Sequence, residues 1–325
     1  MKSLVAASHG TDNIGGAKSI SDLVKKVAES LPEVAVLEAF VDVQQPDVPT
    51  VLNQATEKGA DEITIVPLLL ATGYHVRQDI ADAAFAADTE VLITPALGPD
   101  ERMVEVLLRR LDEVGATNET AAGDLIVLTV AGSSDQRAQA ESELVKLMFE
   151  EALSKRNGSP SKVELAFLSA AEPKLKDLIP KLKFQHPRKR VVIATYLLAD
   201  GYFAGLTKKV GAHLAAEPLL VEGTEPPQQL VDIILDRFKA ATDEGQTTGC
   251  LSGLRGEPFS GCAAGCRGAG RHCHSAGAVT ARRRSGDCVG TIRDHRDRCG
   301  RLRSQPRCRR ARRYPSRARA ACPSQ

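Results

Sequence analysis

The sequence predicts an α/β fold: two similar parallel-sheet lobes, related by internal duplication and facing a cleft, followed by a disordered basic tail. Three observations carry this. Short apolar runs alternate with amphipathic helical stretches through roughly the first 245 residues, the second half of that body repeats the first, and the final segment abandons both patterns. Strands separated by helices imply parallel pairing with helices on both faces of the sheet.

The elements follow in order. Residues 3–8 form an apolar run ending in His-Gly, which reads as a buried strand feeding a loop. Ile20, Leu23, Val24 and Val27 place a helical stripe over 17–31. A strand is expected over 34–41, a helix over 49–57 and a strongly apolar strand over 62–70. Helix then returns over 76–86, strand over 91–94 and helix over 101–114.

The repeat organises the rest. Glu38-Ala39-Phe40-Val41-Asp42 with Pro46 matches Leu165-Ala166-Phe167-Leu168-Ser169 with Pro173 at an offset of 127. Leu69-Leu70-Ala71 with Gly73-Tyr74-His75 matches Leu197-Leu198-Ala199 with Gly201-Tyr202-Phe203 at an offset of 128. Ser8-His9-Gly10-Thr11 matches Val130-Ala131-Gly132-Ser133 at 122. The expected organisation is a lobe over 1–118, a degenerate second lobe over 119–245 and an Arg/Cys-rich tail over 246–325.

The tail stands apart in charge. From Cys250 onward there are 18 arginines, no lysine and 4 acidic residues, for +14, against −12 for the remainder, so the overall +2 is a cancellation. All eight cysteines lie there. No period of 2 or 3.6 is sustained, so little apolar surface is available to offset the entropy of ordering. A basic arm for nucleic acid lacks aromatic platforms, and Cys262, Cys266, His272, Cys273 and His274 match no paired zinc-ligand template. The composition reads instead as sequence never selected to fold, such as GC-rich DNA translated in a shifted frame. The cysteine-free body fits a reducing compartment, and its longest apolar stretch, 63–71, is far below the roughly 18–20 residues that span a bilayer. A soluble cytoplasmic protein is expected, with no membrane or nucleic-acid partner.

Comparing the halves separates scaffold from chemistry. Apolar and glycine positions persist, but His9 becomes Ala131, Asp42 becomes Ser169 and His75 becomes Phe203. Each lost group can bind a metal or accept a proton, and each was expected at the carboxyl end of a strand, where ligands gather in such sheets. Two imidazoles and a carboxylate suit a divalent cation such as Fe²⁺, Co²⁺ or Zn²⁺, and imidazole also takes protons near neutral pH. Gly10 to Ser19 is not a phosphate loop, because Lys18 comes too late after the glycines. Ser8 precedes His9 where a phosphohistidine enzyme needs Arg. His186, in a basic loop, and His213, expected on a helix, are assigned surface or structural roles.

On these motifs, residues 1 to about 115 resemble the sirohydrochlorin chelatase family, relatives of ferrochelatase. The carrying residues are Ser8-His9-Gly10-Thr11, Ala39 to Asp42 with Gln45-Pro46, and Val66 to Leu70 with Gly73-Tyr74-His75 and Asp79-Ile80. Residues 119 to about 242 resemble a second, degenerate copy. The resemblance implies insertion of Fe²⁺ or Co²⁺, as substrate and without an organic cofactor, into sirohydrochlorin, giving sirohaem or a cobalamin precursor. It implies that His9 and His75, with Asp42, bind the metal and accept pyrrole protons. Asp42 stands where the family usually has Glu, and Asp12 where Arg is common. The macrocycle is planar, apolar across its face and ringed by carboxylates. Leu68 to Leu70, Tyr74 and Phe203 are expected as walls, Leu69 and Tyr74 foremost, and Arg77 and Lys18 as cations for the carboxylates. A non-catalytic tetrapyrrole or metal carrier is the alternative from another class.

Overall fold

The computed structural model describes residues 1–71, 73–116 and 123–247, with only the backbone of 74–76 and 244–247. The Arg/Cys-rich tail, including the Cys262 to His274 cluster, lies outside the described residues.

Eight strands and eight helices are described. The first sheet holds β1 (Lys2–Ser8), β2 (Ala35–Phe40), β3 (Glu62–Pro67) and β4 (Val91–Ile93), with helices α1 (Ile14–Ser30), α2 (Val48–Glu57), α3 (Tyr74–Ala86) and α4 (Glu101–Glu113). The second holds β5 (Leu125–Val130), β6 (Val163–Phe167), β7 (Val191–Tyr196) and β8 (Leu214–Ala215), with α5 (Gln136–Asn157), α6 (Leu175–Gln185), α7 (Tyr202–Lys209) and α8 (Gln228–Thr247). Every pairing is parallel, and the orders β2-β1-β3-β4 and β6-β5-β7-β8 are the same topology twice. In each sheet the chain leaves the first strand in one direction and the third lies on its other side. The crevice between their carboxyl ends is therefore a topological switch point.

The duplication reaches backbone detail. Gly10 and Gly132 both have φ +91°, a left-handed conformation open to glycine. A Cβ at either would collide with the carbonyl of Asp42 or Ser169 respectively. The loop after β2 and its copy after β6 each carry a positive-φ residue, Val43 and Ala170, and a cis proline, Pro46 and Pro173.

Each sheet buries one face under its own helices. Val51 and Leu52 of α2 and Ile80 of α3 cover the first, and Leu178, Ile179 and Leu182 of α6 the second. The opposite faces share one continuous core that includes Leu4, Val66, Met103, Leu107, Phe149, Leu128, Ile234 and Phe238. The terminal helices exchange within it: α4 packs on β7 of the second sheet, and α8 packs on β3 of the first. Two arginines seal the exchange. Arg110 of α4, only 6% exposed, donates to the carbonyls of Pro218 (3.0 Å) and Leu219 (2.9 Å) and pairs with Glu113. Arg237 of α8 reaches back to the carbonyls of Ala96 (3.2 Å) and Leu97 (3.5 Å).

Three expectations are corrected. β3 ends at Pro67 rather than residue 70, because the chain peels away once Leu68 N–H has bonded Ala7 (2.7 Å). Leu69 C=O then accepts from Leu97 N–H (2.9 Å) in the loop after β4. α3 starts at Tyr74, so His75 lies in a helix's first turn instead of at a strand end. His213 precedes β8 in a turn rather than riding on a helix. Its Nδ1 accepts from Val191 N–H at 2.9 Å, which fixes the β7–β8 edge and supports the structural role.

Candidate active site

The carboxyl ends of β1 and β3 meet those of β5 and β7 across a cleft of about 690 Å³. Its walls are largely apolar, with Leu68, Leu69 and Leu70 from one lobe and Leu197, Leu198 and Ala199 from the other. The lobes touch where α1 begins. A Cβ on Gly16 would lie 3.0 Å from the carbonyl carbon of Asp200 and nearer still to its oxygen. A Cβ on Gly201 would lie 3.1 Å from Thr11 Oγ1. Gly15 and Gly16, which superficially suggest a phosphate loop, therefore serve close approach between lobes.

His9 follows β1 directly, is exposed and lines the cleft. Its backbone carbonyl accepts from Asp42 N–H at 3.0 Å, tying the two loops together. Asp42 is exposed, and its Oδ1 accepts from Val43 N–H at 2.8 Å, closing its own loop; the neighbouring Val43, rather than Asp42, lines the cleft. The loop is braced again by Thr11 N–H, which donates to Gln44 Oε1 at 2.8 Å. His75 and Tyr74 sit in the first turn of α3, with side chains outside the described residues. Leu69 lines the cleft as expected. Arg77 is exposed in that same turn of α3, and Lys18 is exposed and paired with Asp22 at 2.6 Å; neither lines the cleft.

Across the cleft, the degenerate positions hold the same places. Ala131 lines the wall opposite, and Ser169 turns its Oγ onto Ala131 C=O at 2.9 Å. The polar lining there includes Ser133 and Ser134, in the loop before α5. Among the described lining residues there is no lysine or arginine, and Asp12 and Asp200 are the acids. Sequence reasoning did not single out Tyr202, Ser133 or Asp200. The repeat, which aligns Tyr74 with Tyr202 and Thr11 with Ser133, held the signal for those two; Asp200 lies in a loop whose partner, Gly16, only the lobe packing reveals.

The family model CbiX matches residues 3–114 and 125–223. A sirohydrochlorin ferrochelatase of Priestia megaterium is 30% identical over 209 residues, covering 62% of this chain and 74% of that protein. A sirohydrochlorin cobaltochelatase of Saccharolobus solfataricus is 35% identical over 85 residues, covering 23% of this chain and 66% of the relative. Among solved structures, Bacillus subtilis SirB with Fe³⁺ is similar with a TM-score of 0.61 at 21% identity, covering 75% of this chain and 98% of that one. That likeness extends over both lobes.

Proposed function

The chain belongs to the CbiX family, and from that premise we propose that it is a sirohydrochlorin chelatase, inserting Fe²⁺ in preference to Co²⁺. The carrying observation is the cleft itself, in which His9 meets apolar walls at paired switch points, with its counterpart in the other lobe reduced to Ala131. The preference for iron is supported by identity: the ferrochelatase relative is 30% identical over 209 residues, against 25% over the same length for a cobaltochelatase of Priestia megaterium.

Insertion exchanges two pyrrole protons for one divalent cation, so the site must hold the metal and take up two protons. His9 and His75 are assigned both tasks, since a neutral imidazole nitrogen serves as ligand or as base. Asp42 is assigned as the third metal ligand, using the oxygen not engaged by Val43 N–H. Leu69 and Tyr74 are assigned to the wall of the ring site, and Arg77 to a substrate carboxylate at its margin. One lobe acts per chain, because Ala131, Ser169 and Phe203 offer neither ligand nor base in the other. The cysteine-free body supports a cytoplasmic setting; no described helix is long and apolar enough to cross a membrane.

The test is an absorbance assay of metal insertion with Fe²⁺ and Co²⁺ side by side. His9→Ala and His75→Ala are each expected to lose about 10²–10⁴-fold in rate, the range for a positioned acid–base group. Unchanged rates in both variants would refute the assignment. Binding of metal and ring without their joining would show a carrier instead.

A further inference from the structure

We propose that Phe203, with Tyr202 at its edge, is the platform on which the tetrapyrrole face lies, so that the second lobe holds the ring while the first handles the metal. This rests on the chelatase reading above and adds to it the residues that recognise the ring.

Both aromatic residues open α7 and line the cleft. Gly201, immediately before them, abuts Thr11, so the pair begins beside the loop that carries His9. Tyr202 is 78% exposed at the cleft, whereas Phe203 is half-buried. Their centroids are 5.6 Å apart with planes tilted by 60°, so both cannot lie flat against one planar ligand. Phe203, the deeper of the two, takes the face; Tyr202, at the rim, meets the macrocycle's edge.

The repeat gives an independent reason. Tyr202-Phe203 occupies the place of Tyr74-His75: the aromatic is kept, and the group able to bind metal is exchanged for one able only to stack. Charge gives another. With no lysine or arginine among the described lining residues and with Asp12 and Asp200 present, those residues offer no ion pair to a carboxylate-fringed ring, and the one assigned cation, Arg77, stands at the margin. Attraction within the cleft must come chiefly from the apolar face, while the carboxylates beyond reach of Arg77 stay in water. Neither aromatic belongs to any of the three buried cores, so replacing them does not hollow the fold.

The experiment titrates metal-free sirohydrochlorin into the full chain and follows its absorbance, with Co²⁺ binding measured separately by calorimetry. Phe203→Ala is expected to weaken ring binding roughly tenfold or more, as loss of a buried phenyl face should. Phe203→Trp should stay within about threefold of wild type, and Tyr202→Ala should lose about threefold. Co²⁺ binding should hold in all three. Raising salt from about 0.05 to 0.5 M should change ring affinity by no more than about threefold, since Arg77 at the margin attracts the fringe while Asp12 and Asp200 of the lining repel it. Ring affinity that is unchanged in a Tyr202→Ala/Phe203→Ala double variant, or that falls tenfold with salt, would overturn the platform while leaving the chelatase reading standing. A wild type that does not bind sirohydrochlorin would remove both.

Discussion

Gly16 provides the sharpest test of how the lobes meet. It is the third residue of α1, its N–H donates to Asn13 Oδ1 at 2.7 Å, and its missing Cβ makes room for the Asp200 carbonyl of the other lobe. Adding one methyl puts carbon against the backbone carbonyl of Asp200, which is not a flexible tip. Overpacking of this kind costs about 1–3 kcal/mol, against well under 1 kcal/mol regained from alanine's better helix propensity. A net loss of about 1–2 kcal/mol lowers Tm by roughly 2–8 °C for a body of this size. Two companions calibrate it. Gly15→Ala meets only the carboxylate of Glu222, with Cδ 2.8 Å from the new carbon, and that side chain can swing away, so Tm should hardly move. Gly205→Ala lies inside α7 with nothing within 4 Å and should raise Tm by about 1–3 °C. Thermal unfolding followed by circular dichroism reads all three, and KM for the ring should rise in Gly16→Ala alone, because Asp200 lines the cleft. If Gly16→Ala and Gly205→Ala move Tm in the same direction, the close approach is not what requires glycine at residue 16.

Arg110→Met should cost about 2–4 kcal/mol, since it strips buried carbonyls of Pro218 and Leu219 of their donors, and Arg237→Met, with longer bonds and more exposure, about 1 kcal/mol; denaturant midpoints compare them. Glu38 is half-buried and desolvation raises its pKa above the ordinary glutamate range, against a smaller lowering from Ser21 Oγ at 2.8 Å. A carboxyl that binds its proton more tightly folded than unfolded loses stability as pH rises through that window. Glu38→Gln should therefore raise Tm at pH 7, with the gain vanishing below about pH 4, where both states are protonated; an equal gain at both ends of a pH series would contradict this. A chain ending at Thr247 is expected to keep its insertion rate, because the family match ends at residue 223 and α8 completes the described packing; loss of rate at both low and high salt would give the tail a role.

The sequence carried much of the architecture because periodicity and duplication are local or self-referential signals. Ile20, Leu23, Val24 and Val27 announce one buried helix face, and all four are buried. What they cannot announce is the identity of the surface opposite. The amphipathic stripe of α4 (Met103, Val104, Val106, Leu107, Leu111) fits either sheet, and nothing in it says that β7 will be its partner. The end of β3 was misjudged for a related reason: Leu68 to Leu70 continue an apolar run, but their burial is owed to the loop after β4 and the cleft, not to strand pairing. His9 was legible because its replacement by Ala131 in the second copy marks the first; Leu69 was legible as part of an apolar run kept in both copies, as Leu197. Gly16 was not, since its partner lies almost two hundred residues away.

The exchange of terminal helices has a consequence for how the protein is made. Synthesis delivers His9, Asp42 and β3 early, yet one face of β3 is closed by α8, the last described helix to emerge. Conversely α4 appears before the sheet it will cover. The first half thus cannot finish as a self-contained module and wait for the second; α1 covers part of its apolar face early, but the part over β3 stays uncovered until residues near 247 have left the ribosome. By the same logic, cutting the backbone between Ala116 and Gly123 should yield two pieces that survive only together, each holding the helix that closes the other's core.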